Sequence, residues 1–447
     1  MDQANLKFAL VTTFYPPYHF GGDAIYVRNQ AHALARRGHS VDVIYTVDPY
    51  ISLSNKPPKP QLPEPSGVRI HQLRSRYPRL STLATQQLGR STFHAKKINE
   101  ILSENTYDVI HYHNISLVGG PDILRRGSGL KFYTAHEHWL VCPTHILWKN
   151  NKEICTSKAC IRCGIRYRRP PQLWRYTSYL ENCAEHVDEF FALSEFSAMA
   201  HENFGFRKNF RIFPTTAPAQ PAVPADKTNQ SHSDKPYFLF VGRLETIKGL
   251  QDVIPLFDGN IDADLVVAGS GAIESDLKQQ LGGASTVKFL GNVKPTQLPE
   301  LYRGAVAVII PSRCIEVFPL VVLEAFREGT PIIAKNTGPF PEIINKSAGG
   351  ALYDTNNELL NKLNSILDHP ELRQTQGNSA LNAFQKYWTE SKAYEKYFTT
   401  IGKHAKRKGY TDLLHRLSRC DAEGFLEHKR IESSARTNVI QDALHNG

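Results

Sequence analysis

Long apolar runs are missing from this 447-residue sequence. No stretch approaches the roughly 20 consecutive apolar residues that a membrane-spanning helix needs, so we expect no span of a bilayer. The N-terminus also lacks a basic region followed by an apolar signal core, and Leu6–Val11 is typical of a first strand instead. Charged residues are few, at 21%, but 41% apolar and 10% aromatic residues exclude a disordered or fibrous protein.

Acidic residues are fewer than basic ones, since the sequence has 43 Asp and Glu and 53 Lys and Arg. This excess indicates anionic partners such as nucleotides, phospholipids, lipid-linked phosphates or nucleic acid. The seven cysteines are an odd number, and four of them fall within Cys142–Cys163. A local metal or redox cluster in a reducing cytosol fits this pattern better than a disulfide framework. The sequence therefore predicts a cytoplasmic protein.

Short apolar runs alternate with helical stretches along a chain long enough for two or three domains. The predicted strands are Lys7–Thr12, Ser40–Tyr45, Val68–Leu73, Asp108–His113, Lys131–His136, Glu189–Ser194, Phe210–Phe213, Tyr237–Val241, Asp264–Ala268, Val287–Leu290, Ala305–Ile310, Pro331–Lys335 and Ala351–Tyr353. Several are continuously apolar, which is typical of parallel strands buried on both faces. The pattern predicts an α/β protein with two doubly wound parallel sheets, which bind ligands at the C-terminal ends of their strands.

The predicted domain boundaries follow from changes in amino-acid composition along the chain. We expect an N-terminal domain over residues 1–214 and a linker over 215–236, where Pro, Ala and polar residues follow no period. A C-terminal domain follows over 237–384. Residues 385–401 form a returning helix, and 402–447 a basic tail that is either helical or disordered.

Two glycines and two cations lie where strands end. Gly21 and Gly22 precede a helix, so their backbone N–H groups can approach a phosphate closely. No G-x-G-x-x-G is present, which weakens the case for a dinucleotide-dependent dehydrogenase. Arg243 and Lys248 follow a later strand and can hold a diphosphate from two sides.

Two carboxylates flank the start of a helix predicted over Leu320–Arg327. Glu316 lies in the loop before the helix, and Glu324 lies inside it. A carboxylate accepts hydrogen bonds from two hydroxyls at once, so the pair can hold two parts of one sugar-containing ligand. Pro319 suits the first helical position, which leaves nearby N–H groups available for an anion.

In this order on two α/β halves, these motifs resemble the retaining GT-B glycosyltransferases of glycosyltransferase family 4. The resemblance covers about residues 5–400 and includes Gly269-Ser270-Gly271 and Gly291-Asn292-Val293 after successive strands. It implies two Rossmann-like domains facing an interdomain cleft. It also implies metal-independent transfer of a sugar from a nucleoside diphosphate sugar to a hydroxyl of a glycan or lipid-linked acceptor, as in polysaccharide or glycoconjugate synthesis.

The resemblance further implies roles at the matching positions. The implied catalytic residues are His113, Arg243, Lys248 and Glu316. The implied donor-binding residues are Gly21, Gly22, Gly271, Val293, Phe318, Leu320, Val321 and Glu324. Glu324 would hold the ribose, Glu316 the transferred sugar, and Val293 would lie at the base. Pro319 replaces a glycine that many relatives carry, so one backbone N–H is lost beside the phosphates.

A histidine pair closes the strand Asp108–His113. In the family the second histidine faces the transferred sugar, where an imidazole can hydrogen-bond the sugar and respond to developing charge. We expect His111 to point to the other face of the sheet. The alternative for His113 is a core histidine with satisfied hydrogen bonds.

Four cysteines follow the spacing C-x12-C-x4-C-x2-C at Cys142, Cys155, Cys160 and Cys163. This spacing is compatible with a structural zinc site. A subset of family-4 enzymes is similar in carrying a Cys-rich insertion here, on the acceptor side. Unligated or redox-active thiols and an iron–sulfur cluster stay open as alternatives.

Arginines and aromatic residues alternate across Arg162–Tyr176. Such a mixture suits an anionic bilayer or a lipid diphosphate, so we expect peripheral association with the inner face of the cell membrane. RNA binding has the same footprint, but no nucleic-acid module accompanies it, and we predict no nucleic-acid partner. A solvated basic face is the simpler alternative.

Two other functions fit a similar scaffold. One is a nucleotide-sugar epimerase, which would need no acceptor. The other is a non-catalytic protein that binds nucleotide sugars or polyanions. The combination of Arg243, Lys248, Glu316 and Glu324 disfavours the second.

Overall fold

A computed structural model describes residues 5–54, 57–58, 60, 63–213, 215–217, 235–281 and 286–419. Most of the linker predicted over 215–236 lies outside these residues, as does the part of the predicted tail from 420 onward. The described part of that tail is helical, because the last long helix continues to Lys408 and another helix covers 411–419.

The first sheet has seven strands in the order β3-β2-β1-β4-β5-β8-β9. They are β1 Lys7–Val11, β2 Ser40–Thr46, β3 Val68–Leu73, β4 Val109–Tyr112, β5 Leu130–Ala135, β8 Glu189–Ala192 and β9 Phe210–Ile212. Strands β1, β2, β3, β4 and β5 pair in parallel. All four residues of β4 and all six of β5 are buried, as expected for strands covered on both faces. A separate two-stranded antiparallel sheet joins β6 Trp148–Lys149 to β7 Glu153–Ile154.

The second sheet has six parallel strands in the order β12-β11-β10-β13-β14-β15. They are β10 Tyr237–Val241, β11 Asp264–Ala268, β12 Val287–Gly291, β13 Val308–Ile310, β14 Ile332–Lys335 and β15 Gly350–Tyr353. This is the doubly wound order of nucleotide-binding folds. All thirteen predicted strands are present. The largest shift is at β13, which begins at Val308 because Ala305 caps the preceding helix.

Helices connect the strands. They are α1 Gly22–Arg36, α2 Asp48–Leu53, α3 Pro78–Leu88, α4 Ala95–Glu104, α5 Cys160–Arg166, α6 Tyr179–Ala184, α7 Glu195–Asn203, α8 Leu250–Val253, α9 Glu274–Gln280, α10 Leu298–Gly304, α11 Leu320–Arg327, α12 Phe340–Ser347, α13 Asn356–Asp368, α14 Pro370–Ala383 and α15 Glu390–Lys408. Short 3₁₀ turns include Leu173–Tyr176 and Thr246–Lys248, and a π-helical turn covers Phe384–Trp388. No helix among the described residues is long and apolar enough to cross a bilayer.

The chain forms two compact units. The first comprises Met1–Thr134, Gln172–Phe190 and Lys396–Gly447; the second comprises Ala135–Pro171 and Phe191–Glu395. Within the second unit, two apolar clusters contain residues of β10, β11, β13 and β14. The domain boundaries predicted from the sequence follow the linker instead, and they stay a prediction.

Candidate active site

A partly buried ion pair joins two of the predicted catalytic residues in the second unit. Lys248 ends a 3₁₀ turn after β10, and Glu316 lies in the loop between β13 and α11. The Lys248 Nζ donates to Glu316 Oε1 at 2.5 Å, and Ser312 Oγ donates to the same oxygen at 2.8 Å. Both loops follow C-terminal ends of neighbouring parallel strands, which is where doubly wound sheets bind ligands.

The charges of this pair stabilise each other. Burial opposes the charge on Lys248, but Glu316 and Cys314 together raise the pKa of the lysine. Burial likewise opposes the charge on Glu316, but Lys248, Ser312 and Arg243 together lower the pKa of the carboxyl. Both groups therefore stay ionised at neutral pH. Arg243 is close enough to act on both, although its half-exposed guanidinium donates to Glu245 at 2.5 Å.

Glu324 is held by a residue that the sequence gave no reason to select. It lies in α11, where Tyr302 Oη donates to its Oε2 at 2.6 Å. Burial raises the pKa of Glu324, and the hydrogen bond from Tyr302 opposes that shift. Burial and Glu324 raise the pKa of Tyr302, so its hydroxyl keeps the proton that it donates. One carboxylate oxygen of Glu324 is thereby fixed in orientation.

We expect Tyr302→Phe to weaken binding of the nucleoside diphosphate that the resemblance implies about fivefold and to leave kcat unchanged. The substitution removes one hydrogen bond, worth about 1 kcal/mol, that orients the carboxylate expected to hold the ribose. Titration calorimetry with nucleoside diphosphates measures the effect. Tyr237→Phe is a matched control, because it also removes a buried phenolic hydroxyl, which donates to Leu301 O at 2.9 Å. Equal losses in the two variants would show that Tyr302 does not act through Glu324.

The start of α11 presents backbone donors beside this site. The helix covers Leu320–Arg327 as predicted, but Pro319 is its N-cap rather than its first residue. Leu320 and Val321 are thus the first two helical residues, whose N–H groups have no partner within the helix. Phe318 is a core residue, 9% exposed, whose ring lies 6.1 Å from that of Trp388. Its side chain therefore anchors the loop that carries Glu316.

Two further predicted positions have structural reasons for their residue type. A Cβ on Gly271 would lie 2.2 Å from Leu244 O, so only glycine allows the loop after β11 to approach the loop after β10 this closely. Val293 packs against the second-unit core as a half-buried side chain. Nearby, Gly338 has φ +60, and its Cβ would lie 3.4 Å from the backbone of Glu316.

Gly21 and Gly22 lie in the first unit, at the start of α1. Gly21 is the N-cap, Gly22 is the first helical residue, and no side chain caps this turn. The N–H groups at this helix start can bind an anion. Asp23 follows directly, and its carboxylate accepts from Asn114 Nδ2 at 3.1 Å. The glycine pair therefore combines backbone donors with a neighbouring negative charge.

His113 follows β4 in the first unit and is almost fully buried. Its ring stacks on that of His111 at a centroid separation of 4.3 Å. The prediction that His111 points to the other face is wrong, because residues two apart on a strand share a face. His111 contacts Tyr397 Oη at 2.9 Å and Thr134 Oγ1 at 2.7 Å, so hydrogen bonds fix its ring beside His113.

The four cysteines of the predicted zinc site lie in one region of the second unit. Cys142, Cys160 and Cys163 all act electrostatically on Cys155, and burial together with these thiols raises its pKa. The thiols make protein contacts, such as Cys142 Sγ with Thr144 Oγ1 at 3.2 Å. Within the described residues, no three His, Cys, Asp or Glu side chains have an arrangement that could hold a metal ion. The zinc prediction and its iron–sulfur alternative therefore do not fit this geometry, whereas unligated thiols do.

The basic segment Arg162–Tyr176 is divided between the two units. In the second unit, Arg162 and Arg166 are exposed on α5, together with Ile161 and Ile165. In the first unit, the indole of Trp174 is buried, and its Nε1 donates to Gln86 O at 3.0 Å.

The predicted residues therefore fall into separate groups. The ion pair with Arg243, the Glu324 hydroxyl pair and the α11 N-terminus lie in the second unit, whereas the glycine pair and His113 lie in the first. Sequence reasoning missed Ser312 and Tyr302. Ser312 lies four residues before Glu316, and this spacing could have drawn attention to it. Tyr302 lies 22 residues from Glu324, and no local pattern links the two.

Known proteins match both parts of the chain. Residues 20–217 match the family described as Glycosyltransferase Family 4, and residues 224–383 match Glycosyl transferases group 1. An uncharacterised glycosyltransferase of Methanocaldococcus jannaschii is 30% identical over 375 residues, which cover 77% of this chain and 84% of the relative.

Solved structures agree on the fold. Sucrose-phosphate synthase of Thermosynechococcus elongatus has a TM-score of 0.67 at 19% identity, covering 90% of this chain and 100% of that one. Alr3699/HepE of Anabaena, in complex with UDP-glucose, has a TM-score of 0.59 at 16% identity, covering 90% and 100%. The two parallel-sheet Rossmann-like domains, together with the similarity to these relatives, identify the chain as a glycosyltransferase of family 4 with the GT-B fold.

Proposed function

We propose that the protein is a retaining, metal-independent hexosyltransferase that uses a nucleoside diphosphate sugar. The observation that carries the proposal is the ion pair of Lys248 and Glu316, with Arg243 beside it, at the ends of parallel strands. A cation pair suits the donor diphosphate, and a carboxylate suits the hydroxyls of the transferred sugar. Alr3699/HepE has the same fold and forms a complex with UDP-glucose, so UDP-sugars are the donors to test first.

In the proposed reaction, an acceptor hydroxyl attacks the anomeric carbon from the face that the diphosphate leaves. The bond from that carbon to the diphosphate oxygen breaks, and the acceptor proton passes to the departing phosphate. Arg243, Lys248 and the backbone donors at the start of α11 stabilise the negative charge that develops there. No dedicated carboxylate base is needed.

We assign the acceptor to the class of lipid-linked or polysaccharide intermediates, and we place the enzyme in the cytoplasm at the inner face of the cell membrane. The support is the formal charge of +10 and the exposed arginines and isoleucines of α5. Positive charge next to exposed apolar side chains suits an anionic bilayer surface.

Following the fate of UDP-sugars with and without an acceptor extract tests the proposal. Release of UDP that depends on the extract, with the anomeric configuration of the donor kept in the product, is the expected result. NMR of the new anomeric proton reports the configuration. An isomerised nucleotide sugar formed without extract would favour the epimerase. Donor binding with no turnover under any condition would favour a binding protein.

A further inference from the structure

Helix α3 in the first unit has its polar side buried and its apolar side exposed. Ser81, Thr82 and Thr85 are buried, whereas Leu80, Leu83 and Leu88 are 54%, 45% and 47% exposed. A surface helix normally turns its leucines toward the core, because their burial stabilises the fold. Three outward leucines on one helix therefore need another explanation than folding.

The reversed orientation is fixed by hydrogen bonds on the inner side. Asp48 accepts from His94 Nε2 at 2.8 Å and from the backbone N–H of Ser75 at 3.0 Å. Thr82 Oγ1 on α3 lies 3.2 Å from Ser52 Oγ on α2 and donates to Pro78 O. Ser81 Oγ on α3 lies 3.5 Å from His94 Nε2. Rotation of α3 to bury its leucines would break the contacts of Ser81 with His94 and of Thr82 with Ser52, and it would place leucines against the polar Asp48 and His94. The leucines consequently stay outside.

Neighbouring segments extend the apolar surface. Leu53 on α2 is 64% exposed, and Leu173 and Tyr176 in the 3₁₀ turn are 71% and 58% exposed. The hydrogen bond from Trp174 to Gln86 fixes this turn against α3. We call the surface formed by these side chains the α3 face, and its residues are Leu53, Leu80, Leu83, Leu88, Leu173 and Tyr176.

The α3 face is surrounded by positive charge. Residues 65–99 contain no Asp or Glu, while Arg79 on α3 and Arg76 and Arg90 on either side of it are exposed. The described part of the chain gives these three arginines no acidic partner. Leucines that can enter the acyl boundary, next to arginines that can pair with phosphates, match an anionic bilayer. A two-fold contact with a second copy would bring like charges together, which disfavours that occupant.

We propose that the α3 face docks on the surface of an anionic phospholipid membrane. The inference rests on the proposed function and deepens it, because such docking would bring a lipid-linked acceptor to the enzyme. The leucines contribute apolar burial, and each arginine near the surface strengthens binding about fivefold. Three arginines thus account for roughly a hundredfold, and the attraction weakens as salt rises.

Vesicle sedimentation tests the docking. The probes are vesicles of phosphatidylcholine with about one third phosphatidylglycerol, and pure phosphatidylcholine. The wild-type chain should bind the anionic vesicles in a salt-sensitive way. Binding should fall about a hundredfold in Arg76→Ser/Arg79→Ser/Arg90→Ser and at least tenfold in Leu80→Ser/Leu83→Ser/Leu88→Ser. All six side chains are exposed, so both variants should keep the wild-type melting temperature.

Two comparison variants locate the effect. Lys278→Ser/Lys362→Ser/Lys392→Ser also removes three exposed charges, but from the second unit, and should bind vesicles as the wild type does. Arg166→Ser/Arg168→Ser/Arg169→Ser alters the segment that the sequence selected. If this variant alone lost binding, that segment would be the membrane contact and the α3 face would not.

Two other results would also overturn the inference. In the first, the wild-type chain does not bind anionic vesicles. In the second, light scattering shows that the wild-type chain is a dimer, the dimer does not bind vesicles, and Leu80→Ser/Leu83→Ser/Leu88→Ser converts it to monomers. Calorimetry with UDP separates the two proposals. A chain that binds UDP but not vesicles refutes only the docking, and a chain that binds vesicles but no nucleotide refutes only the proposed donor function.

Discussion

Replacement of Lys248 by alanine should lower kcat/KM for the donor by about 30- to 1,000-fold. The ammonium group lies beside the proposed diphosphate position, and loss of one such electrostatic contact costs about 2–4 kcal/mol of transition-state stabilisation. Steady-state kinetics with the UDP-sugar that supports turnover in the donor assay measure the change. Lys278→Ala is the control, since its ammonium pairs with Glu274 at 2.7 Å on an exposed helix of the same unit. Unchanged kinetics in Lys248→Ala would remove the lysine from the mechanism.

The same substitution should also destabilise the fold, because Glu316 would lose its counter-ion. The Lys248 and Glu316 side chains are 23% and 16% exposed, so solvent repays only part of the loss, and we expect about 1–3 kcal/mol in the free energy of unfolding. Urea denaturation measures it. The double variant Lys248→Ala/Glu316→Gln should recover part of this stability without recovering activity. A double variant as unstable as Lys248→Ala would show that the loss of stability does not come from the unpaired charge of Glu316.

The strands were predictable because of local pattern. Continuous apolar runs such as Tyr237–Val241 and Asp264–Ala268 have the observed strand bounds, since parallel strands buried on both faces must be apolar throughout. Pro319 was predicted as the first residue of α11 and is its N-cap instead, because proline suits both positions. Short-range chemistry therefore sufficed to place the loops that carry Lys248, Glu316 and Glu324.

Features that depend on distant residues could not be predicted in the same way. Cysteine spacing restricts the loops that four thiols can form, but it does not set the direction of each thiol, and the predicted tetrahedral site does not fit. The leucines that lie on one side of α3 would ordinarily be expected to face the core. They are exposed instead, because Asp48 and His94, which are distant in sequence, form a polar interior beneath that helix.

Glu324→Gln should raise the dissociation constant of UDP about tenfold to a hundredfold and change kcat little. The glutamine keeps an oxygen that can accept from Tyr302, but it loses the charge and one acceptor for the ribose hydroxyls that the proposal assigns to Glu324, a loss of about 1.5–3 kcal/mol. Contacts to the ribose are the same in the ground state and the transition state, so their loss appears in binding rather than in kcat. Calorimetry with UDP and single-turnover kinetics separate the two quantities.

Glu316→Gln should show the opposite division, with a larger loss in kcat than in UDP affinity. Its carboxylate is assigned to the transferred sugar, which UDP does not contain, and its contacts strengthen as the sugar becomes positively charged. Identical kinetic effects of the two Glu→Gln variants would contradict these assignments.

The pH dependence of UDP binding distinguishes the two carboxylates further. Burial raises the pKa of Glu324, whereas Lys248, despite burial, lowers that of Glu316. As pH falls below neutral, Glu324 takes up a proton first and can no longer accept from two ribose hydroxyls, so wild-type affinity for UDP should decline. Glu316 stays ionised through that range and should not contribute. Glu324→Gln cannot titrate at this position, so its affinity should fall less with pH than that of the wild type and of Glu316→Gln; an equal decline in Glu324→Gln would assign the titration to another group.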